Sequence, residues 1–397
     1  MNLPHERSAQ VQRAKGAKGM YAEDGVNVEE ESEFSKAAGA VCKKSYANSP
    51  FVEVLDLSEG QFRGPRPFRL KGLPDGYILE VSSDGLGTKG ILIDAAKSYR
   101  TAGFDLFAMV ASDITRYGGV PLVLTNVLDL VEVGTLIDEH NRAYRELLLG
   151  LGEAAKECRG VILKGETAQM GPAVGSDIPN SPTRFNWSAN MFGAYHPDKM
   201  VTGNTVAAGD AVIALRERGF RCNGISSVRA AFRKKFGEKW WEHPDATEHL
   251  KEAAAPSVLY DVFVNTLHGW YTKNFTPEVE LRAIVHISGG GIKEKLGNDV
   301  LFARGLSATL DNLFELPDIM RQCANWRGLG DAELYGAWNG GQGMLLIVPP
   351  KYADTVLARA KDFNIEAKIA GRITEEKTPR LVVHSKLSSE VVVYERA

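Results

Sequence analysis

Apolar residues along this chain gather in short runs, each followed by a polar, glycine-bearing turn and then by a stretch with apolar positions three or four apart. The run Tyr77-Ile78-Leu79-Glu80-Val81 predicts a strand ending in Ser82-Ser83-Asp84-Gly85-Leu86-Gly87-Thr88-Lys89, and Gly90 to Lys97 predicts the helix that follows. Gly103 to Ile114 predicts a second helix. At about 100° per residue, Asp105 and Ser112 share a face and Asp113 lies about 80° round from Asp105. Leu122 to Leu128, Val161 to Leu163 and Phe185 to Gly193 read as strands, and Leu136 to Cys158 reads as a long helix. The Pro and Gly cluster from Gly171 to Pro182 reads as a loop near a ligand. The pattern breaks near Val201 to Asp210, and Ala211 to Leu215 opens a second half. That half continues through the strand before Gly289-Gly290-Gly291, the run Trp338 to Met344, a helix over Ala353 to Phe363 and a strand over Ala367 to Ile373. A terminal hairpin of Leu381 to His384 with Val391 to Tyr394 closes the chain.

This pattern predicts an α+β protein of two lobes, each with helices packed on a mixed β-sheet and the site in the cleft between them. The expected boundaries are an N-terminal arm over 1–50, a first domain over 51–200, a second α+β domain over 207–375 and a tail over 376–397. The arm is polar, with Glu29-Glu30-Glu31 and Lys43-Lys44, and reads as solvated.

Composition changes this picture little. A chain of 397 residues supports two domains with sizeable cores. A formal charge of −3 gives no electrostatic reason to expect nucleic acid or an anionic membrane as partner. Cys42, Cys158, Cys222 and Cys323 are far apart, make no metal-type pair and read as reduced thiols. With no apolar leader and no run approaching the length of a membrane span, a soluble cytoplasmic protein is expected.

The chemistry concentrates in a few stretches. In the octet, two glycines one residue apart let backbone approach a ligand, free amides at a helix start favour an anion, and Lys89 adds positive charge. Asp84 has the wrong sign for phosphate and so calls for a bridging cation, with Mg2+ the natural choice. The same octet also serves as a plain strand-to-helix turn capped by its Asp. Asp113 and Glu166, within Gly165-Glu166-Thr167-Ala168-Gln169-Met170, complete an acidic trio suited to one or two hard cations. Asn223-Gly224 is either an ordinary turn or part of an anion site at a helix start. Three glycines in a row after His286-Ile287-Ser288 point to an anion site, and His286 reads equally as structural or catalytic.

These stretches, with Tyr21-Ala22-Glu23-Asp24-Gly25-Val26 and Asn339-Gly340-Gly341-Gln342-Gly343-Met344, resemble in order and spacing the aminoimidazole ribonucleotide synthetase family. That family, also called phosphoribosylformylglycinamidine cyclo-ligase, shares an ATP-dependent superfamily with selenophosphate synthetase and thiamine-phosphate kinase. The resemblance implies a ligase of purine biosynthesis that closes the ring of formylglycinamidine ribonucleotide using ATP and Mg2+. An amide oxygen takes the γ-phosphoryl group, and a nitrogen of the same molecule then expels phosphate. It implies a homodimer paired through the N-terminal lobes. On this reading Asp84, Asp113 and Glu166 hold the metal, Lys89 with the amides of Gly85, Gly87 and Thr88 holds the triphosphate, and Asp105 positions. Asn223, Ser226, Ser257 and Gly289 to Gly291 meet the substrate or the moving phosphoryl group. The chain departs from the family in three places: Arg221 stands where many members have His, Cys222 where they have Ser, and only Leu57 to Gly64 where they carry a glycine-rich loop. The alternatives are another phosphotransferase of the superfamily and a nucleotide-binding regulatory protein without turnover.

Overall fold

The computed structural model describes residues 28–57, 66–135 and 137–396, with side chains from residue 31 onward. Tyr21 to Val26 and residues 58–65 of the weak glycine loop lie outside the described residues, as does Leu136.

In the N-terminal lobe, strands β1 (Val52–Val54) and β2 (Phe68–Leu70) form an antiparallel ribbon. A four-stranded sheet follows, built from β3 (Ile78–Gly85), β4 (Val120–Leu130), β5 (Val161–Gln169) and β6 (Phe185–Tyr195) in the order β3-β6-β4-β5. Only the β4–β5 pair is parallel, so the sheet is mixed as expected.

Four helices accompany this sheet: α1 (Val28–Ser45), α2 (Lys89–Ala96), α3 (Ala102–Thr115) and α4 (Glu139–Glu157). The polar segment read as a solvated arm therefore carries a packed helix. Phe34 and Cys42 of α1 are buried against α4 and β5, because one apolar stripe suffices to seat a helix whose other face is charged. In α3 every residue except Phe104 and Asp113 is buried, since this helix is covered by its own sheet on one side and by the second lobe on the other. Helix α4 approaches α3 and the turn before it closely at two glycines: a Cβ on Gly103 would stand 2.2 Å from the Leu151 nitrogen, and one on Gly150 2.0 Å from the Arg100 oxygen.

The C-terminal lobe is a seven-stranded sheet of order β13-β12-β9-β11-β7-β10-β8. Its strands are β7 (Ala211–Arg216), β8 (Ala283–His286), β9 (Ser307–Leu310), β10 (Gln342–Val348), β11 (Ala367–Thr374), β12 (Arg380–His384) and β13 (Val391–Glu395). The terminal hairpin is present, but it is no separate tail: β12 pairs parallel with β9, and Leu381, Val383 and Tyr394 join the core. Helices α5 (Ile225–Phe236) and α8 (Asp318–Arg327) pack together and contribute to the large core. Helices α7 (Asp261–Leu267) and α10 (Ala353–Asp362) pack into a second core. The large core includes residues of both lobes, from Leu106 and Met191 to Val285 and Tyr335.

Candidate active site

Asp84 sits one residue from the end of β3, where the Gly85 N–H donates to its Oδ1 at 2.7 Å. It is not the cap of the following helix, whose N-cap is Thr88 and has no side-chain cap. The two octet glycines serve different needs. A Cβ on Gly85 would meet the Trp187 oxygen of β6 at 2.7 Å, so this glycine lets two strands pair. Gly87 has φ +52° with open space around it, so it supplies the left-handed turn that leaves backbone accessible.

Asp113, on the partly exposed edge of α3, faces Asp84 closely enough that its charge helps to raise the Asp84 carboxyl. Burial raises that carboxyl most and the Gly85 N–H opposes it. For Asp113 itself burial also acts upward, but His286 and the charges of Arg116 and Lys295 outweigh it and the carboxyl ends below its ordinary value. Asp113 Oδ1 stands 3.5 Å from His286 Nδ1, an electrostatic approach rather than a formed hydrogen bond. His286 is fully enclosed, and burial lowers it to about 4, so it is neutral near pH 7.

Glu166 does not join this pair. Asp84 lies in one row with Ala189, Asn126 and Gly165, so Glu166, one residue further along β5, falls on the opposite face of the sheet and three strands away. It lies within the strand rather than at its end because β5 runs on to Gln169. Among the described residues no three His, Cys, Asp or Glu side chains converge on a metal-sized space. Asp84 and Asp113 do stand within reach of each other's charge, a pair of carboxylates that fits a Mg2+ ion keeping most of its waters.

Lys89 also stands apart from its expected role, held by Asp105. Both side chains are fully buried, 2.7 Å apart. Lys89 Nζ donates onward to the Ala255 oxygen at 2.8 Å, and Asp105 Oδ1 accepts the Ser257 N–H at 3.0 Å and its hydroxyl at 2.6 Å. The lysine therefore points inward, away from any triphosphate over the octet, and the Ser257 hydroxyl is taken by Asp105 rather than offered to a substrate. A buried cation needs a carboxylate and a carbonyl more than the open turn needs its charge. Together the four groups tie α2 and α3 to the second lobe.

Asn223 is brought to the junction of the lobes, with Nδ2 3.7 Å from Met109 Sδ of α3 and Oδ1 3.4 Å from where a Gly289 Cβ would stand. Ser226 is exposed on the first turn of α5. Packing explains two of the three glycines: Gly290 has φ +84°, and a Cβ on Gly291, at φ +62°, would meet the Tyr335 oxygen at 2.2 Å. Gly289 alone faces Asn223. The Trp338 to Met344 run supports rather than binds, since Asn339 Nδ2 donates to the Gly219 oxygen at 2.8 Å and a Cβ on Gly343 would strike the Tyr260 hydroxyl.

Arg221, which stands where many family members have His, is enclosed, 1% exposed, with its guanidinium turned into the protein. Glu217, which pairs with it at 3.0 Å, carried no signal in the sequence. Arg116 and Lys295 escaped notice as well, although the three-residue spacing of Asp113 and Arg116 on one helix was legible. Cys222 beside Asn223 is a free thiol that burial pushes well up, so it stands as a neutral group and not as a nucleophile.

The family described as AIR synthase related protein, N-terminal domain, matches residues 69–181, and its C-terminal domain matches residues 207–384. Among curated proteins, the phosphoribosylformylglycinamidine cyclo-ligase of Oceanobacillus iheyensis is 27% identical over 329 residues, covering 82% of this chain and 86% of that one. The protein of the same name from Methanococcus vannielii is 23% identical over 378 residues, covering 94% and 97%. Among solved structures, thiamine-monophosphate kinase from Stenotrophomonas maltophilia aligns with a TM-score of 0.54 at 14% identity, over 87% of this chain and 95% of that one. E. coli HypE, a hydrogenase maturation protein, aligns at 0.53 and 16%, over 91% and 96%. These two share the fold.

Proposed function

Since the chain belongs to the AIR synthase related protein family through both of its domains, we propose that it is an ATP-dependent cyclo-ligase closing formylglycinamidine ribonucleotide to aminoimidazole ribonucleotide. Relatives bearing that activity in their name cover 75–94% of the chain. What supports the reading is that Asp84, at the end of a strand, and Asp113, on the edge of a helix, stand within reach of each other's charge.

The reaction needs an amide oxygen made into a leaving group. That oxygen takes the γ-phosphoryl group of ATP, ADP departs, a nitrogen of the same molecule attacks the carbon, and the carbon–oxygen bond breaks to release phosphate. Such a path asks for alignment and charge neutralisation more than for a nucleophile. Asp84 and Asp113 are the residues that would hold Mg2+, which supplies neutralisation of the triphosphate when bound. The open backbone at Gly87 and Thr88 faces the anion, Asn223 and Gly289 bound the substrate side, and Lys89 and Asp105 fix the lobes beneath.

The open face of the N-terminal sheet supports pairing with a second copy: Leu79, Val81 and Val127 are 53%, 49% and 39% exposed. Glu166 stands on that same face, so in such a pair it lies at the junction rather than in the cleft of its own chain. Among the described residues no helix is long and apolar enough to cross a membrane, and the four free cysteines suit the cytoplasm.

Incubation of the protein with ATP, Mg2+ and formylglycinamidine ribonucleotide, with ADP release coupled to a spectrophotometric readout, tests the proposal. Turnover is expected, with a loss of about 100-fold or more in kcat for Asp84→Asn and for Asp113→Asn. ATP consumed only with a different acceptor, or no turnover by a folded protein, would replace this reading with another phosphotransferase or a binding protein.

A further inference from the structure

Arg221 spends all of its visible hydrogen bonds inside the protein. Nη1 donates to Glu217 Oε2 at 3.0 Å and to the Val258 oxygen at 3.1 Å, and Nη2 donates to the Ala108 oxygen of α3 at 3.2 Å. The same Nη2 stands 3.2 Å from His286 Nε2. A guanidinium has donors and no acceptor, so Nε2 must offer its lone pair, and a neutral imidazole in that position carries its proton on Nδ1. Nδ1 is buried without a hydrogen-bond partner of its own among the described residues, and what it faces is Asp113 Oδ1 at 3.5 Å.

We propose that Arg221 is a positioning residue: by donating to Nε2 it fixes His286 as the Nδ1–H tautomer, and the N–H so fixed steers the Asp113 carboxylate beside Asp84. Three elements set this line of contacts. The Glu217 carboxylate and the Val258 and Ala108 oxygens hold the fork, the fork holds the ring, and the ring meets the acid. Rigid planarity is what the arrangement needs, because one guanidinium serves four partners in fixed directions, which an ammonium on a flexible stem does not reproduce. The opposite tautomer would set two N–H groups against each other at Nε2 and a lone pair against a carboxylate at Nδ1.

The inference rests on Asp113 being a working carboxylate of the site proposed above. Its test needs no turnover, so a chain that fails the ring-closure assay can still show the tautomer. Nitrogen NMR of protein labelled at the imidazole nitrogens gives the readout, with the His286 signals identified by their loss in His286→Gln. The wild type is expected to show a protonated, pyrrole-type Nδ1 and an unprotonated, pyridine-type Nε2. Asp113→Asn is expected to keep that pattern, because the arginine sets it. The double variant Glu217→Gln, Arg221→Met, which removes both members of the ion pair so that neither charge is stranded, is expected to lose it. A wild-type ring protonated on Nε2 overturns the proposal, as does loss of the pattern in Asp113→Asn or its survival in the double variant. Should the double variant not fold, the wild-type and Asp113→Asn spectra decide the matter by themselves.

Discussion

Replacing Lys89 with Met separates two roles for this residue. If Lys89 served the triphosphate, its loss would weaken ATP binding and leave the folded protein as stable as before. The structure gives the opposite expectation. Lys89 and Asp105 are 2.7 Å apart with neither side chain exposed, so the substitution strands a carboxylate that keeps only the two Ser257 donors, and it frees the Ala255 oxygen. Breaking one half of a buried pair costs about 3–5 kcal/mol. Asp105→Asn keeps an acceptor for Ser257 but leaves a buried ammonium with one carbonyl, and a cost in the same range is expected. In Lys89→Met with Asp105→Asn no charge remains to be stranded, so the double variant falls short of the sum of the singles by about 2–3 kcal/mol. Urea unfolding of the four proteins, followed by far-UV circular dichroism and by tryptophan fluorescence, measures this cycle. A Lys89→Met protein that unfolds at the wild-type midpoint, or a coupling below about 0.5 kcal/mol, would refute the reasoning and return the lysine to the nucleotide.

Two further outcomes follow from other parts of the molecule. Gly103→Ala is expected to cost at least about 1–3 kcal/mol, because the added methyl meets the backbone of Leu151 and Gly150 rather than a side chain that can turn aside, and a thermal melt checks it. His268 is buried and lowered to about 4 by desolvation, so the unfolded chain binds its proton first as pH falls. Its contribution is present above pH ~6.5 and shrinks toward pH 4, by about 3 kcal/mol over the window. His268→Gln should flatten that part of the stability-against-pH curve, and a curve of unchanged slope would discount the burial argument.

Much of the fold was legible because local pattern and final structure agree. The strand, turn and helix from Ile78 to Ala96, the long helix ending at Glu157 and the hairpin at the end of the chain all follow from short-range periodicity and turn chemistry. The helix over Val28–Ser45 was not, since its charged face dominates the composition and its partners lie more than a hundred residues away. The site divides in the same way. Asp105 and Ser112 sharing a face, with Asp113 turned aside, follows from helix geometry, and the structure buries the first two while leaving Asp113 partly open. The inward direction of Lys89 depends on Ser257 and Ala255, which no local rule brings near. Glu166 was placed in the cleft because each acidic residue follows an apolar run, but the sheet register, which assigns it to the other face, exists only once the strands are paired.

The seam of Lys89, Asp105, Ala255 and Ser257 also bears on how a catalytic cycle can move. Hinging the halves apart would have to pull a cation and an anion out of a dry interior together, so wide opening of the cleft is disfavoured at every turnover. Any rearrangement during a cycle is then left to segments outside this seam, while these four residues hold the halves in register.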